Sequence, residues 1–421
     1  MPKKSTAPCD TTCDATFDLV VAGAGMVGAT AACLFAKQGL RVGLLDSKPV
    51  ADGQADTIHP RGDSRVSAVN IASMNIFQAL EVWQTMLDKR VSRYHAMHVW
   101  EQGSDAAISF DAQALGQPQL GFIIENSVIV SALIEKLRQN YNVSIMENTS
   151  LSQRQIHKDK LVLVTEDNKS LECGLLVGAD GAQSKVRELC DIDTASFDYE
   201  QDAIVTRVTT EKGHRKTAWQ SFLPTGPVAM LPLQDGRCSI VWSCDRAGGM
   251  DCADRLMDLS DDAFCKVLSG YFDQHLGPVL ECDERFRFPL RQYHAAHYIS
   301  KYTALVGDAA HITHPLAGLG ANIGFMDVAA LAEVVEAART NGRNIANHSV
   351  LRRYERWRKG ENALVLGMMK GFKTVFGQSQ EPIKTARRLG LNLADRIPPL
   401  KAQFAKYAMG LSGDLPEICK G

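Results

Sequence analysis

The sequence lacks several features that would place the protein in particular functional classes. Its 46 lysines and arginines are balanced by 48 aspartates and glutamates. Without an excess of positive charge, the chain is not expected to bind nucleic acid. The eleven cysteines include no Cys-x-x-Cys pair, and no further metal ligands accompany the closest two, Cys9 and Cys13. This pattern favours reduced thiols in a cytosolic protein over disulfides or a zinc site.

One apolar stretch, from Leu19 to Ala36, resembles a membrane span or a signal sequence in length. It is rich in glycine and alanine, however, and it begins with a strand-like segment from Phe17 to Ala22. We therefore interpret it as a buried strand followed by a turn and a helix. A chain of 421 residues is long enough for two or three domains of this kind.

The turn after this strand has the pattern Gly-x-Gly-x-x-Gly, formed by Gly23, Gly25 and Gly28. A helix is predicted over 26–38, and a second strand over 41–45 ends at Asp46. Such glycines permit a tight turn and close approach of a pyrophosphate to the helix N-terminus, and the acid typically binds a ribose hydroxyl. The arrangement predicts dinucleotide binding but does not distinguish NAD from FAD.

Two further strands end in glycine and aspartate. The run "LLVGADGAQSKVR" leads into Asp180 and Gly181, and a strand over 303–306 leads into Gly307 and Asp308. The second is followed by "HPLAGLGANIG", from His314 to Gly324, where a helix begins. Three such elements, far apart in sequence, imply a single cofactor contacted at three places.

Together, the Gly-x-Gly-x-x-Gly, "GADG" and "GDAAH…HPLAG" motifs resemble those of flavoprotein aromatic hydroxylases with the p-hydroxybenzoate hydroxylase fold. Within these, the chain is similar to the ubiquinone-biosynthesis hydroxylases, and its details look most like members acting on C5 of a polyprenylphenol. "SRVSAVNIASMNIFQAL", "LGFIIENSVIVSAL", "LRRYERWRKG" and "KYAMGLSGDLPE" fit that subfamily. The resemblance covers nearly the whole chain after residue 16.

The resemblance implies FAD as cofactor, NAD(P)H as reductant and O2 as co-substrate, with hydroxylation through a flavin C4a-hydroperoxide. It implies no nameable catalytic side chain, although Pro315, Gly318 and Gly320 would lie near the flavin. His311 and His314 are expected to hold their loop, and no metal is expected. The implied cofactor-binding residues are Gly23, Gly25, Gly28, Asp46, Arg65, Asp180, Gly181, Gly307, Asp308, Gly318, Gly320, Ala321 and Asn322.

Among these, Asp46 would bind the adenosine ribose and Asp308 the ribityl chain. Arg65 would contact FAD, and Asp180 and Gly181 would shape the FAD and nicotinamide sites. The backbone from Gly318 to Asn322 would lie against the flavin ring, where free N–H groups and the helix dipole favour negative charge on the reduced flavin.

The sequence departs from the family loop, because Leu319 replaces a glutamine and Ala321 a larger apolar residue. The expected consequence is small, since the loop is thought to act mainly through its backbone. The alternatives are altered reactivity or a weakly active scaffold protein.

The predicted fold class is α/β, with a Rossmann-like FAD-binding domain, an inserted β-sheet substrate domain and a C-terminal helical section. The predicted FAD-binding domain is discontinuous, over 17–92, 112–195 and 287–345. The substrate domain comprises 93–111 and 196–286, and the helical section 346–421. A disordered tail is predicted over 1–16 and a mobile loop over 48–64.

The segment 204–243 is expected to supply the substrate face. Its large apolar residues would line a pocket or, more simply, fill a core; they are Trp219, Phe222, Met230, Leu231, Pro232 and Trp242.

The C-terminal section, 351–421, carries 14 lysines and arginines against 6 aspartates and glutamates. Helices predicted over 362–377 and 400–411 form either an ordinary amphipathic cap or a surface for anionic lipid or acidic partners. The second reading suits a prenylated phenol substrate, which does not diffuse freely in water.

The predicted function is therefore hydroxylation of a polyprenylphenol in aerobic ubiquinone biosynthesis. The expected partners are other proteins of that pathway. The expected location is the cytoplasm, with peripheral contact to the inner face of the membrane. A homo-oligomer is compatible with the sequence. The alternatives are a hydroxylase or reductase of another aromatic substrate, or a scaffold subunit of a quinone-making complex.

Overall fold

A computed structural model describes residues 13–50, 63–157, 160–249, 251–313, 318, 320–377 and 397–420. The predicted N-terminal tail and most of the predicted mobile loop lie outside these residues. So do His314, Pro315 and Leu319.

The first sheet has eight strands, and its centre is parallel. Its order is β18-β19-β11-β1-β2-β8, with β10 pairing β11 and β9 pairing β10. The strands are β1 Ala15–Ala22, β2 Val42–Leu45, β8 Val143–Met146, β9 Leu151–His157, β10 Lys160–Thr165, β11 Ser170–Gly178, β18 Ile299–Ser300 and β19 Thr303–Leu305. A small three-stranded sheet, ordered β3-β7-β4, comprises β3 Val66–Val69, β4 Val91–Tyr94 and β7 Gly121–Glu125.

The large sheet has nine strands in the order β20-β17-β12-β15-β14-β13-β5-β6, with β16 pairing β12. The strands are β5 Ala96–Glu101, β6 Ala107–Asp111, β12 Thr194–Thr210, β13 Thr217–Leu223, β14 Gly226–Pro232, β15 Cys238–Asp245, β16 Val279–Cys282, β17 Phe286–Ala295 and β20 His311–Ile312. β17 continues this sheet through Ala295, past the predicted domain boundary at residue 286.

The described residues also form eleven α-helices. They are α1 Met26–Lys37, α2 Ile71–Ala79, α3 Trp83–Lys89, α4 Asn126–Arg138, α5 Lys185–Leu189, α6 Ala253–Asp258, α7 Asp261–Leu276, α8 Gly320–Thr340, α9 His348–Gly377, α10 Pro398–Ala408 and α11 Glu417–Lys420. The helix predicted over 362–377 is the second half of α9, and the one predicted over 400–411 is α10. None of the helices in the described ranges is both long and apolar enough to cross a bilayer.

The main core lies between the first sheet and the helices α1, α4 and α8. β1 is a continuous apolar run because neighbouring residues such as Leu19 and Val20, which point to opposite faces of the sheet, are both buried, as is usual for a central parallel strand. Residues 28–36 of α1 are all buried, and the small residues among them, such as Gly28, Ala29 and Ala32, let the helix lie close to its neighbours. The predicted strand–turn–helix–strand unit is therefore confirmed.

The large sheet has two distinct faces. Its outer face packs against α6 and α7 and contains Met230 and Trp242, both fully buried. Trp219 belongs to the same face, so the simpler prediction of core packing holds for these three residues. In β14 the other face carries Pro227, Ala229 and Leu231, which are only half-buried. We call this the inner face, and Phe222 lies on it in register with Pro227.

The C-terminal segment returns to the start of α2. The backbone N–H of Ile71 donates to the carbonyl of Met409 at 3.1 Å. Further along, the Asn75 side-chain amide donates to the Cys419 carbonyl at 2.9 Å, and α11 packs on α2. This return brings the basic C-terminal section close to the junction of β3 and α2.

Candidate active site

Four parallel strands end at one edge of the first sheet, in register. Ala22 of β1 pairs with Leu45 of β2 on one side and with Gly178 of β11 on the other, and Gly178 pairs with Leu305 of β19. Because the predicted motifs follow these strand ends directly, the structure brings them together. The carboxyl edge of a parallel sheet is where such folds bind ligands.

The first turn is a glycine cradle held by Asp46. A Cβ on Gly28 would lie 1.8 Å from the Gly23 carbonyl oxygen, and Gly23 itself has a φ of +103°. A Cβ on Gly25 would meet nothing within 4 Å, so this position opens to the space in front of α1. Asp46 accepts hydrogen bonds from the N–H groups of Ala24, at 2.7 Å, and Lys48, at 2.9 Å. The cradle leaves room for a phosphate at the N-terminus of α1.

In the second turn, the aspartate carboxylate is hydrogen-bonded within the chain. Asp180 accepts a hydrogen bond from the Ser184 hydroxyl at 2.5 Å and another from the Val186 N–H at 3.0 Å. Both carboxylate oxygens therefore serve the N-terminus of α5. Gly181 follows with a φ of +78° and open space at its Cβ position. This geometry suits a residue that shapes the turn rather than one that binds a ligand through its side chain.

Arg187 was not predicted as a site residue, but it fixes the second turn to the third. Its guanidinium donates to the Ala182 carbonyl, to the Ala309 carbonyl at 2.9 Å and to the Tyr293 hydroxyl at 3.2 Å. It also lies over the Tyr293 ring, 4.9 Å from the centroid.

The third turn presents Asp308. Its side chain is exposed, yet enough protein surrounds it that desolvation raises the pKa of the carboxyl. A carboxylate lining a recess has both properties. Among the described residues, no hydrogen bond to this carboxylate is formed. Asp308 is therefore available to a ligand, unlike Asp180.

A buried polar network lies behind the third turn and holds it. Asp327, on α8, accepts hydrogen bonds from the Gly307 N–H at 3.1 Å, from Arg358 Nε at 3.0 Å and from the Asn362 amide at 3.0 Å. His311 Nε2 lies 2.5 Å from the same carboxylate. Burial alone would raise the pKa of Asp327, but the interactions with His311, Arg358 and Asn362 outweigh it and lower the pKa to about 2. The predicted structural role of His311 is thus observed.

The glycine-rich loop is anchored by Asn322, whose amide is fully used within the chain. Its oxygen accepts from the Asn70 N–H at 3.0 Å and from the Ser73 hydroxyl at 2.8 Å. Its nitrogen donates to the carbonyls of Ala68 at 2.7 Å and Gly318 at 3.1 Å. The side chain therefore fixes the loop, and only the backbone here could face a flavin. Gly320 and Ala321 form the first residues of α8.

Arg65 stands at the start of β3, where its side chain is exposed. Its backbone is fixed on both sides, because its N–H donates to Asp63 and its carbonyl accepts from the Asn126 N–H at 3.1 Å.

A buried ion pair joins the inner face of the large sheet to the small sheet. Arg207 of β12 approaches Glu125 of β7 at 3.8 Å and donates to the Asp63 carbonyl at 2.5 Å. Arg90 lies 3.5 Å from the same glutamate. Desolvation lowers the pKa of Arg207, and the nearby Glu125 opposes this. Glu125 therefore lies between two arginines, and the Arg207 guanidinium is held by oxygens of the protein itself.

Sequence reasoning missed Asp327, Arg358 and the Arg207–Glu125 pair. A signal existed for the first, since Asp327 is the single acid within the apolar helical run "GFMDVAALA". Arg358 and Asn362, four residues apart, share one helix face. Nothing in the sequence indicates which partner Arg207 finds, because β7 and β12 are distant in the chain.

The described residues contain no group of three His, Cys, Asp or Glu side chains arranged to hold a metal ion. The open cradle at Gly25 and the recessed Asp308 instead fit an elongated dinucleotide with a phosphate at one end and hydroxyl groups further along.

Comparison with known proteins agrees with this reading. The model of the family described as "FAD binding domain" matches residues 16–365. The chain is 34% identical to the 3-demethoxyubiquinol 3-hydroxylase of Escherichia coli K12, over 94% of this chain and 98% of the relative. It is 32% identical to the ubiquinone hydroxylase UbiL of Rhodospirillum rubrum, covering 100% of this chain and 96% of that relative.

The fold is also that of solved flavoprotein structures. The p-nitrophenol 4-monooxygenase PnpA from Pseudomonas putida DLL-E4 superimposes with a TM-score of 0.76 at 19% identity, covering 95% of this chain and 100% of the other. These findings confirm the predicted fold class and the predicted FAD cofactor. The chain belongs to the family of FAD-dependent ubiquinone-biosynthesis hydroxylases.

Proposed function

We propose that the protein hydroxylates the aromatic ring of a prenylated phenol, at C5, in aerobic ubiquinone biosynthesis. The observation that carries this proposal is the full-length similarity to relatives named as ubiquinone-pathway hydroxylases. The inner face of the large sheet supports it, because its one buried arginine, among the described residues, is paired with Glu125. An uncharged, apolar substrate suits such a face better than an aromatic acid.

Bound FAD, reduced by NAD(P)H, would supply the activation of O2 for ring hydroxylation. The chain would supply the geometry. We propose that the N–H groups of the cradle from Gly23 to Gly28 hold the pyrophosphate and that Asp308 binds the ribityl hydroxyls. The backbone between Gly318 and Asn322 would lie along the flavin ring, and the inner face would orient the phenol and exclude water.

Asp46, Arg65 and the second turn would contribute to cofactor binding in different ways. Asp46 already accepts two backbone hydrogen bonds, so its remaining lone pairs would serve the adenosine ribose. Arg65 is exposed at the start of β3, and its guanidinium would contact the FAD. Asp180 and Gly181 would act through the shape of their turn.

The most detailed element of the proposal is the ring carbon that receives the hydroxyl group. The name of the Escherichia coli relative refers to carbon 3 of a demethoxyubiquinol, whereas the motifs most resemble enzymes acting on C5. Mass spectrometry of lipid extracts from cells lacking this gene, grown with oxygen, decides the matter. We expect ubiquinone to fall and a prenylphenol lacking one ring hydroxyl to accumulate, with its structure naming the carbon. Normal ubiquinone without an intermediate would contradict the proposal, provided that no second hydroxylase is present.

We further propose that the basic C-terminal section meets the anionic surface of the membrane that holds the substrate. Lys406 is exposed on α10, and Phe404 and Ile397, on and beside the same helix, expose 47% and 37% of their surface. Lysines next to exposed apolar side chains are typical of helices that lie on anionic lipid.

Charge reversal tests this surface. The test variant combines Lys370→Glu, Lys373→Glu, Lys401→Glu and Lys406→Glu. We expect it to bind less tightly than the wild type to liposomes that contain anionic lipid. The side chains of Lys370 and Lys373 lie outside the described residues. Lys160→Glu and Lys266→Glu, on other surfaces, serve as the matched control. Equal liposome binding by both sets would contradict a lipid-facing role, and capture of pathway proteins by only the wild type would instead indicate a protein partner.

A further inference from the structure

The chain beyond α10 leaves that helix at Gly410, whose φ is +70°. The N–H of Gly410 donates to the Tyr407 carbonyl at 3.0 Å, and the N–H of Leu411 donates to the Lys406 carbonyl at 2.8 Å. This is a common way to end a helix, and it favours glycine because the backbone is left-handed at that residue. We call residues 409–419 the C-terminal strap. Its direction is therefore fixed where it leaves α10.

The C-terminal strap lies directly against Asn70, at the start of α2. A Cβ on Gly410 would lie 2.7 Å from the Asn70 amide nitrogen and 2.8 Å from the Cβ of Ala72, both closer than such atoms normally approach. The N–H of Ile71 donates to the Met409 carbonyl at 3.1 Å. Because the two backbones meet so closely, only a glycine leaves room for Asn70 in its observed position.

Asn70 in turn holds the glycine-rich loop. Its N–H donates to the Asn322 side-chain oxygen at 3.0 Å, and its own side-chain oxygen accepts from the Ser73 N–H at 2.9 Å as the N-cap of α2. The Ser73 hydroxyl donates to the same Asn322 oxygen at 2.8 Å. The Asn322 amide nitrogen then donates to the Gly318 carbonyl at 3.1 Å. Only Asn70 and Asn322 thus stand between the strap and Gly318.

A cavity adjoins these contacts. Its volume is about 70 Å3, and Asn70, Asn322, Met326, Tyr407 and Gly410 are among the residues that border it. Dense packing normally fixes the position of buried side chains. Beside a cavity, the position of Asn322 depends more on its hydrogen bonds, and hence on Asn70.

We propose that Gly410 and Asn70 position the backbone of the glycine-rich loop, so that the C-terminal strap sets the environment of the flavin without touching it. This inference rests on the proposed function, in which the backbone from Gly318 to Asn322 lies along the flavin ring. Groups that bind a cofactor must be held to within about 0.5 Å of their working position. A displaced Asn70 would move the loop N–H groups, which favour the negative charge of the reduced flavin.

The alternative is that the C-terminal strap only stabilises the fold. Gly413 provides the matched comparison, because it lies in the same strap and also has a positive φ, +98°. The nearest atom to a Cβ on Gly413 would be a Glu361 carboxylate oxygen, at an ordinary 3.7 Å. Gly410→Ala and Gly413→Ala therefore both strain the backbone, but only Gly410→Ala presses on Asn70.

The first measurement is the reduction potential of the bound flavin in the purified flavin-loaded protein, without substrate. We expect Gly410→Ala to weaken the binding of reduced FAD about tenfold more than that of oxidised FAD, which lowers the potential by about 30 mV for a two-electron couple. Gly413→Ala should keep the wild-type potential. Thermal unfolding of the FAD-free proteins should show similar losses of stability in both variants, so a purely stabilising strap would not change the potential.

A double variant tests whether the effect passes through Asn70. Asn70→Ser keeps a good N-cap residue but removes the amide nitrogen on which Gly410→Ala would press. In the Asn70→Ser protein, Gly410→Ala should therefore shift the potential by no more than about half of the shift that it causes in the wild type. Equal shifts in the two backgrounds would overturn the proposal.

Gly410→Asn replaces Gly410→Ala if the latter does not fold. Asparagine adopts the left-handed conformation more readily than alanine and adds the same Cβ, and Gly413→Asn is then the control. An unchanged potential in the Gly410 variant would overturn the proposal, as would an equal change in the Gly413 variant.

Hydroxylation is measured separately, so that the two proposals can fail independently. A lower potential in Gly410→Ala alone, without hydroxylation by the wild type, would retain the positioning role and reject the proposed reaction. Hydroxylation by the wild type, with an unchanged potential in Gly410→Ala, would retain the reaction and reject the positioning role.

Discussion

Two turns of similar sequence follow neighbouring parallel strands, but their aspartates differ in whether the carboxylate is hydrogen-bonded within the chain. Asp180, after β11, gives both carboxylate oxygens to the N-terminus of α5. Asp308, after β19, forms no hydrogen bond within the described part of the chain, and its turn is held from behind by Asp327. The motif therefore predicts where an aspartate lies. Whether its carboxylate can bind a ligand depends on whether nearby hydroxyl and N–H groups of the chain already donate hydrogen bonds to it.

The comparison also shows how an available carboxylate is kept in place. Asp308 lacks internal partners, so its position depends on the backbone of residues 307–309, which form a short 3-10 turn. That turn is fixed by the Gly307 N–H to Asp327 and by Arg187 on the Ala309 carbonyl. Binding groups that must remain unpaired are typically supported by neighbours that are fully paired.

The largest expected effect is at the supporting network. Asp327→Ala should destabilise the protein by about 3–5 kcal/mol, because it leaves Arg358 buried without its counter-charge. Thermal or urea unfolding measures this loss. Combining it with Arg358→Met should recover part of the stability, and a single-variant loss below about 1 kcal/mol would show that the network does not support the turn.

Asp308→Ala is expected to reduce FAD affinity about 10–100-fold, the usual cost of losing a hydrogen bond to a charged group, and to yield largely apo-protein. The absorbance ratio of flavin to protein after purification measures occupancy. Because desolvation already disfavours the ionised Asp308, the stability of the FAD-free variant should not fall below that of FAD-free wild type. Full flavin occupancy in Asp308→Ala would refute the assignment.

Acid should weaken the same network through Asp327. Its pKa, about 2, lies below the ordinary value of 3.8. The ionised form therefore contributes stability that is complete above about pH 4 and is lost as the pH falls through about 2, amounting to roughly 2 kcal/mol. The difference in unfolding free energy between wild type and Asp327→Asn should shrink by roughly 2 kcal/mol as the pH falls from about 4 to about 2, because only the wild type has the carboxylate to lose. A variant with the full acid sensitivity of the wild type would contradict this view.

The smallest effect is expected at Asp180. Asp180→Ala should cost about 1 kcal/mol, the typical value of a lost helix cap, while FAD occupancy remains near that of wild type. Ser184→Ala is the comparison variant, since it removes the cap of α5 and one of the two donors to Asp180 while leaving the Asp180 carboxylate in place. If Asp180→Ala instead released the flavin without loss of stability, the two aspartates would be equivalent and the contrast between the turns would be wrong.

Much of the fold could be predicted because it depends on patterns within short, contiguous stretches of the sequence. The run from Phe17 to Ala22, the three glycines and the acid at Asp46 are contiguous, and each has a single physical role. The predicted helix over 26–38 and the strand over 303–306 agree with the observed elements to within one residue. Element type is well specified wherever an apolar period and a turn residue coincide.

The rest of the site could not be predicted because it depends on pairings between distant segments. The sequence predicts that Asn322 lies in a flavin-binding loop. Only the fold shows that its amide is hydrogen-bonded within the chain, to Ala68, Asn70, Ser73 and Gly318. The ion pair between Arg207 and Glu125 likewise arises where two sheets meet. The division of the large sheet into a packed face and a half-exposed face depends on which side α6 and α7 cover.

The alignment of strand ends at the first sheet also has a consequence for the time course of folding. The cradle follows residue 22, the second turn follows residue 178 and the third follows residue 305, so the site joins segments separated by much of the chain. Contacts of such long sequence separation form slowly, after local structure. Flavin binding should therefore be among the last events of refolding, and the appearance of bound-flavin absorbance would record the moment at which the three segments meet.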